Sequence, residues 1–594
     1  MLFGQAPPTP VLLETRVGDG SVIVRWQKVT TASAYAVYRA KGSGAFEQLG
    51  LYASNAFADV NGVNNETYRY KVRSVGANGL ESPDSAVIEA QPHVLTDTEF
   101  LDLVQRTAFD YFWNEANPEN GLIKDRSTNE SPASIAAVGF GLSAITVAID
   151  HGWLSREDGR KRVLNTLRFF WNAPQSATDV TATGYNGWFY HFLDMNTGKR
   201  VWQSELSTID TALLMGGVLH ARQYFTDTSA DEMEIRTLSD QLYERINWAW
   251  ILPRPPKIAM GWKPESGFLS NDWVGYNEGM ILYILAMGAP KNSIGGLAWQ
   301  FWTRGYAWQS HYGYSFLTFP PLFGHQYSHV WVDFRSRQDE YMRNQGSDYF
   351  ENSRRATLAQ RNYCIANPKK WADYSENVWG ITASDIPNGY SAQGAPPDQN
   401  DNGTIAPTAA GGSFAFTPTE SLAALREMYR KYKLKLWSIY GFKDAFNISK
   451  SWFDTDYIGI DQGPIILMIE NQRTGKIWKA MMKHEGIQRG LDKAGFTGTG
   501  VANEAESANL SMNLTVFPNP SATSAQVLFN TIQTGNVVMR VYDLLGQEVV
   551  SRTSVLQQGA QTWILDTKHW TQGLYVVQIE QNGQRSTQNL IITR

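Results

Sequence analysis

Acidic residues recur through the middle of this chain in settings where a carboxyl group could do chemistry. Asp125 precedes Arg126 in "GLIKDRS". Glu205 and Asp210 stand before an apolar run in "SELSTIDTALLMGGVLHARQYF", and Asp272 and Glu278 do so in "DWVGYNEGMILYIL". "ENVWGITASD" carries Glu376 and Asp385, "NDNGTIAPTAA" carries Asp401, and "GIDQGPIILMIEN" carries Asp461. Two carboxyl groups facing one cleft can divide acid and base work, one protonating a leaving oxygen while the other activates water. Taken singly, an acid just ahead of a helix is favoured by capping and by the helix dipole, which suffices for Glu205, Asp272 and Asp461. As a set they ask for more. Repeatedly the acid lies at the end of a polar, aromatic or glycine-rich loop entering a helix, and in a closed ring of helices such junctions converge on one rim.

Other chemistries have less to stand on. The chain has no G-x-S-x-G elbow, no P-loop and no H-E-x-x-H, and it holds only nine histidines. "DQNDNG" opens like a calcium-binding EF-hand loop, but Ala409 falls where a bidentate Glu is required and Pro407 intervenes, so a loop turn is the better reading. Cys364 is the single cysteine, which excludes an intrachain disulfide and a cysteine-rich zinc site. The net charge of −5, without long blocks of one sign, argues against nucleic acid or an anionic membrane as partner. Apolar runs such as "MILYILAMGA" reach about half the roughly 18 residues that a membrane span needs. Aromatic residues make up 13% of the chain, many beside Gly, Asn and Asp, where rings can serve as stacking platforms for sugars or as amphipathic core.

Three kinds of element would have to position these residues. From 9 to 93, short alternating bursts such as "SVIVRWQ", "AYAVYRA" and "TYRYKVRSV", separated by turn signals, predict an all-β sandwich. At "HVLTDTEFLDLVQRTAFDYFW" the period becomes helical. Thr96 and Glu99 form a capping-box pair, and Phe100, Leu103, Val104, Ala108, Tyr111 and Phe112 share one face. Ser155 with Asp158, and Thr417 followed by Pro418 and Glu420, repeat this grammar. The region 95–490 therefore predicts about a dozen helices separated by long loops, arranged as a ring of hairpins, given typical helix lengths. Residues 491–512 read as a linker, and 513–594 return to period two as a second small sandwich. "MLFGQA", within 1–8, reads as a signal-peptide remnant or a tag.

Three resemblances follow from these stretches. The spacing of Trp26, Tyr35, Tyr68 and Tyr70, with the closing "GLESPDS", resembles a fibronectin type III module, which implies a spacer. "FPNP", "VYDLLGQEV" and "GLYVVQI" resemble the C-terminal sorting domain of type IX secretion, which implies export across an outer membrane with that machinery as partner. The series "FDYFWNEANPENGLIKDRS", "VGFGLSAITVAIDHGWLSREDG", "IDTALLMGGVLHARQYF", "GYNEGMILYILA", "YSENVWGITASDIPNGY", "DNGTIAPTAA", "YGFKDAFN" and "IDQGPIILMIENQRTGKIW" is similar to the glycoamylase-like family of glycoside hydrolases, in order and over nearly the whole helical region.

That last resemblance implies an (α/α)6 barrel with an acidic cleft, flanked here by two small β sandwiches, and a family that includes β-1,2-glucan hydrolases and transglycosylases. The expected substrate is a β-glucan polysaccharide or related oligosaccharide, and hydrolysis by two carboxylates needs no metal and no cofactor. Asp210 matches the family's acidic position before its long apolar helix, where the glucanase branch carries Glu. Asp210 is thus a candidate general acid, with Glu278 as the other acid candidate or half of a retaining pair. Asp385 and Asp401 are candidates for the base, and Asp125 for orienting or activating water. Arg126, Trp188, Tyr276, Asn277, Glu376, Trp379 and Asp401 are the expected substrate contacts. A glycan-binding protein that has lost its chemistry, and a transglycosylase using the same cleft, are the alternative readings.

Overall fold

A computed structural model describes residues 5–498 and 514–593, apart from 532–533, 545, 558 and 582–583. The start of the expected leader remnant and most of the expected linker, from 499, lie outside the described residues. Met1–Gly498 and Thr499–Arg594 form separate compact units.

The helical body alternates outer and inner helices. Asp97–Asn114, Arg156–Asn172, Ala230–Arg245, Leu297–Thr303, Tyr349–Ala366 and Pro418–Leu436 are outer. Each is followed by an inner one: Ile135–Asp150, Thr208–Tyr224, Met280–Gly288, Tyr327–Trp331, Pro407–Gly412 and Gly459–Arg473. The sequence sets this division. Outer helices such as "REDGRKRVLNTLRFFWN" have one apolar stripe, whereas "IAAVGFGLSAITVAID" and "MILYILAMG" are buried on nearly every side. The six positions expected on the apolar face of Asp97–Asn114 are all buried, and Thr96 and Glu99 make the capping box. Thr417 does not cap through its side chain; its hydroxyl turns back to the Ser413 carbonyl and to Ser421.

Inner helices meet closely. Ile135–Asp150 packs on both Thr208–Tyr224 and Gly459–Arg473. A Cβ at Gly217 would stand 2.0 Å from the Gly139 carbonyl oxygen, and one at Gly139 would stand 2.3 Å from that of Leu213, so only glycine permits this approach. Connections from inner to outer helices are mostly short, as at 151–155, 225–229 and 413–417. Those from outer to inner are long: 115–134, 173–207, 246–279, 304–326, 367–406 and 437–458. Because every inner helix begins where a long loop ends, these loops gather at the N-terminal end of the inner ring.

The helical body runs past its expected end at 490. Glu485–Lys493 packs on Met280–Gly288, Leu491 and Phe496 are buried, and Thr497–Gly498 pairs with Arg337–Gln338. Apolar contacts hold this stretch although its composition is small and polar.

The N-terminal sandwich has a three-stranded and a four-stranded sheet around Trp26, Tyr35, Tyr68 and Tyr70. It is fastened to the first outer helix, where Asp110 takes ion pairs from both Arg16 and Arg25. Ser21 meets Tyr429 at 2.6 Å. The C-terminal unit likewise has a three-stranded and a four-stranded sheet, with Val537, Met539, Val541, Val577 and Ile579 in its core.

Candidate active site

Glu278 sits just ahead of the inner helix Met280–Gly288, which has no side-chain cap of its own. Ser328, from a neighbouring inner helix, fills that role. Its hydroxyl accepts from the Ile281 amide at 3.0 Å and donates to the Glu278 carbonyl at 2.7 Å. Asn277 braces the same turn, accepting from the Gly279 amide and donating to the Gly275 carbonyl. The backbone of Glu278 is thus fixed while its carboxyl makes no ion pair among the described residues. Burial, helped by the nearby Asp210, raises that carboxyl to about 7.

Asp210 occupies the first turn of Thr208–Tyr224. Ser207 caps this helix, accepting from the Asp210 amide at 3.2 Å and donating to its carboxylate. Across from it stands His191, whose Nε2 lies 3.5 Å from Asp210 Oδ2 and whose Nδ1 lies 2.9 Å from Glu205 Oε1. Burial opposes a charge on this imidazole. Asp210, Glu205 and Asp125 outweigh that and raise it to about 9, so His191 is an imidazolium at neutral pH. Glu205 is lowered by its hydrogen bond to His191. Asp125 is raised by burial, against the pull of Arg126. Its loop is pinned where the Asp125 amide donates to the Pro132 carbonyl at 2.7 Å and the Gly459 amide donates to the Asp125 carbonyl at 2.8 Å.

Asp125, Arg126, His191, Asp210 and Glu278 line one cavity of about 320 Å³, together with Phe192, Phe323, Tyr327 and Tyr390. Arg126 reaches Asp385 at 2.9 Å and Asp456 at 3.4 Å. Behind Asp385 is a buried carboxyl cluster. The Asp385 amide donates to Asp444 at 2.7 Å, and one oxygen each of Asp444, Asp454 and Asp461 is buried without a partner. Burial raises all three of these carboxyls, and their neighbours raise them further, Asp461 acting on Asp444 and Asp385 on Asp454 and Asp461. Carboxyls so placed relieve their repulsion by keeping protons. Asp385, Asp444 and Asp454, with carboxylate oxygens within 4.8 Å of one another, are the set spaced to hold a cation among the described residues.

The structure brings four expected site residues to the cavity (Asp125, Arg126, Asp210 and Glu278) and a fifth, Asp385, to its Arg126 wall. Others lie elsewhere. Trp188 is fully buried, donates to the Asn247 carbonyl and packs on Trp248. Trp379 is fully buried in the core. Tyr276 stacks among Tyr349, Tyr306 and His325. Asn277 is committed to its turn. Glu376 is exposed and pairs with Arg361. Asp401 is buried and accepts from Tyr363, Trp371 and Tyr374, a bonding set that ties a loop and leaves no water-activating oxygen. Asp272 pairs with Arg254 and Lys257. Sequence reasoning missed His191, at the end of "GYNGWFYH", and Asp444 and Asp454, in "YGFKDAFN" and "WFDTDYIG". The signal available for His191 was a rare histidine in a loop entering an inner helix, beside aromatic residues.

Comparisons with known proteins bear on the family and the fold. Residues 270–485 match a family profile described as "Putative glucoamylase". Residues 515–593 match the secretion system C-terminal sorting domain, which marks the protein for export or surface display. An exo β-1,2-glucooligosaccharide sophorohydrolase (non-reducing end) of Parabacteroides distasonis is 31% identical over 525 residues, 82% of this chain and 70% of that one. A crystal structure of a β-1,2-glucanase from Parabacteroides distasonis superposes with a TM-score of 0.76 at 30% identity, over 83% of this chain and 73% of the other. An endo-β-1,2-glucanase from Chitinophaga pinensis, solved with sophorotriose and glucose, gives 0.63 at 30% identity, over 68% and 99%. With its ring of helices, its acidic cavity at the N-terminal end of the inner helices and these relatives, the chain belongs to the glycoamylase-like family of glycoside hydrolases.

Proposed function

We propose that this exported enzyme hydrolyses β-1,2-linked glucans and glucooligosaccharides, with Glu278 as general acid. The observation that carries the assignment is the Glu278 carboxyl, raised to about 7 by burial and by Asp210 inside a cavity whose other acids lie near cations. An acid with that poise holds its proton near neutrality and can still give it up.

In the proposed step Glu278 donates its proton to the glycosidic oxygen as the bond from that oxygen to the anomeric carbon breaks. Asp210, paired with the His191 imidazolium, faces the positive charge that develops on the sugar ring. Asp125, made more basic by burial, accepts a proton from the water whose oxygen bonds to the anomeric carbon. Asp125 then yields that proton to solvent and Glu278 regains one, so the balance is one water consumed and two shorter sugars released. Arg126 holds the Asp385 side of the cavity, and Tyr327, Tyr390, Phe192 and Phe323 offer ring faces to the glucosyl units. β-1,2 linkage is favoured because the relatives that match most of this chain act on it.

The test is a product profile, by chromatography and mass spectrometry, on linear and cyclic β-1,2-glucans, β-1,3- and mixed-linkage glucans, xyloglucan and starch. The expected outcome is discrete oligosaccharides from the β-1,2-glucans alone. Release from another glucan, with none from β-1,2-glucan, would overturn the substrate reading.

A further inference from the structure

The rim carries a second, larger opening that the catalytic assignment does not use. A groove of about 1180 Å³ lies between the N-terminal sandwich, which supplies Lys28 and residues 53–55, and the loops around 113–132 and 194–202. It shares a wall with the catalytic cavity. Asp125 and Arg126 line the cavity, while Lys124 and Ser127, on either side of them in sequence, line the groove. An aromatic pair spans the two openings. Phe192 lines the cavity, and Trp202, with its ring centroid 5.3 Å from that of Phe192, lines the groove.

Trp202 is 71% exposed. It and Gln203 lie in the left-handed region, at φ +57° and +53°, a conformation that costs non-glycine residues free energy. The fold therefore spends stability on a turn that leaves an indole in water at the edge of a groove. The polar lining is rich in amides (Asn55, Asn114, Asn117, Asn129 and Asn196), and acidic and basic side chains are equally represented. A flat apolar ring, amides and no net charge suit a neutral, hydroxyl-rich chain better than an ionic ligand. The catalytic cavity, at about 320 Å³, is at the low end of ligand pockets and leaves most of a long chain outside.

We propose that this groove is a distal glycan subsite, holding the part of a long glucan that extends beyond the catalytic cavity, with Trp202 as stacking platform and the N-terminal sandwich as far wall. This rests on the glucan-hydrolase reading above.

The test compares wild type with Trp202→Ala and Trp202→Phe on a length series of β-1,2-glucooligosaccharides, from those that fill the cavity to polymer. Loss of one stacking contact should raise KM for the long substrates about five- to tenfold in Trp202→Ala. The short substrates and kcat should hardly change, and Trp202→Phe should recover most of the effect. An equal change at every length, or none, overturns the groove assignment while leaving the hydrolase reading intact. No turnover of any β-1,2-glucooligosaccharide by the wild type overturns both.

Discussion

Glu278 and Asp210 are neighbouring acids in different surroundings. Among the described residues the first has no cation beside it and is pushed towards neutrality; the second is held by a serine and an imidazolium. If Glu278 works as an acid, kcat/KM falls about tenfold per pH unit above about 7, as its proton is lost. Asp210→Asn removes a like charge, so Glu278 ionises more readily and this limb moves to lower pH. Turnover at the optimum should drop on the order of 10²–10⁴-fold. A pH–rate profile of the variant checks both, and an unshifted limb would mean that Asp210 does not act on Glu278. At this scale the sequence was informative about acids and poor on rings. Asp210 and Glu278 could be picked out because each stands where a loop enters an apolar helix, and Asp125 because it precedes Arg126. Trp188 and Trp379 read as platforms because their neighbours in sequence are polar, but a ring beside Asn and Gly packs inward just as well when the loop folds over it. Asp401 misled for a related reason, since two of its partners, Tyr363 and Tyr374, lie 38 and 27 residues away and no local pattern reports them.

Inner and outer helices were separable from their apolar patterns, and the capping pairs marked several beginnings. A ring of hairpins was expected, but the alternation of long and short connections that orders it shows only in the structure. What could not be read was the closeness of the helices. Gly139 and Gly217 look like weak points in helical runs, yet each lets one inner helix rest on the backbone of another. Gly217→Ala would drive its methyl into the Gly139 carbonyl and move apart the helices Ile135–Asp150 and Thr208–Tyr224. A loss of about 1–3 kcal/mol is expected, seen as a lower midpoint in denaturant or heat. Unchanged stability would mean that the approach is looser than 2.0 Å implies. The stretch past 490 was misjudged because its small, polar composition hides two buried anchors, Leu491 and Phe496.

At the scale of the molecule, the N-terminal sandwich is fixed to the helical body by Arg16 and Arg25 on Asp110, so it belongs to the same compact unit as the active site. The C-terminal sorting domain is a unit of its own, as an address need be. Among the described residues no helix is long and apolar enough to cross a membrane. The central claim, that Glu278 gives its proton to the leaving oxygen, is tested most directly by turnover of Glu278→Gln on two substrates: a β-1,2-glucooligosaccharide, whose leaving alcohol needs protonation, and an aryl β-sophoroside, whose phenolate leaves without it. The variant should lose roughly 10²–10⁴-fold in kcat on the first and retain most of its rate on the second. Equal losses on both, or near-normal turnover of the oligosaccharide, would contradict the assignment.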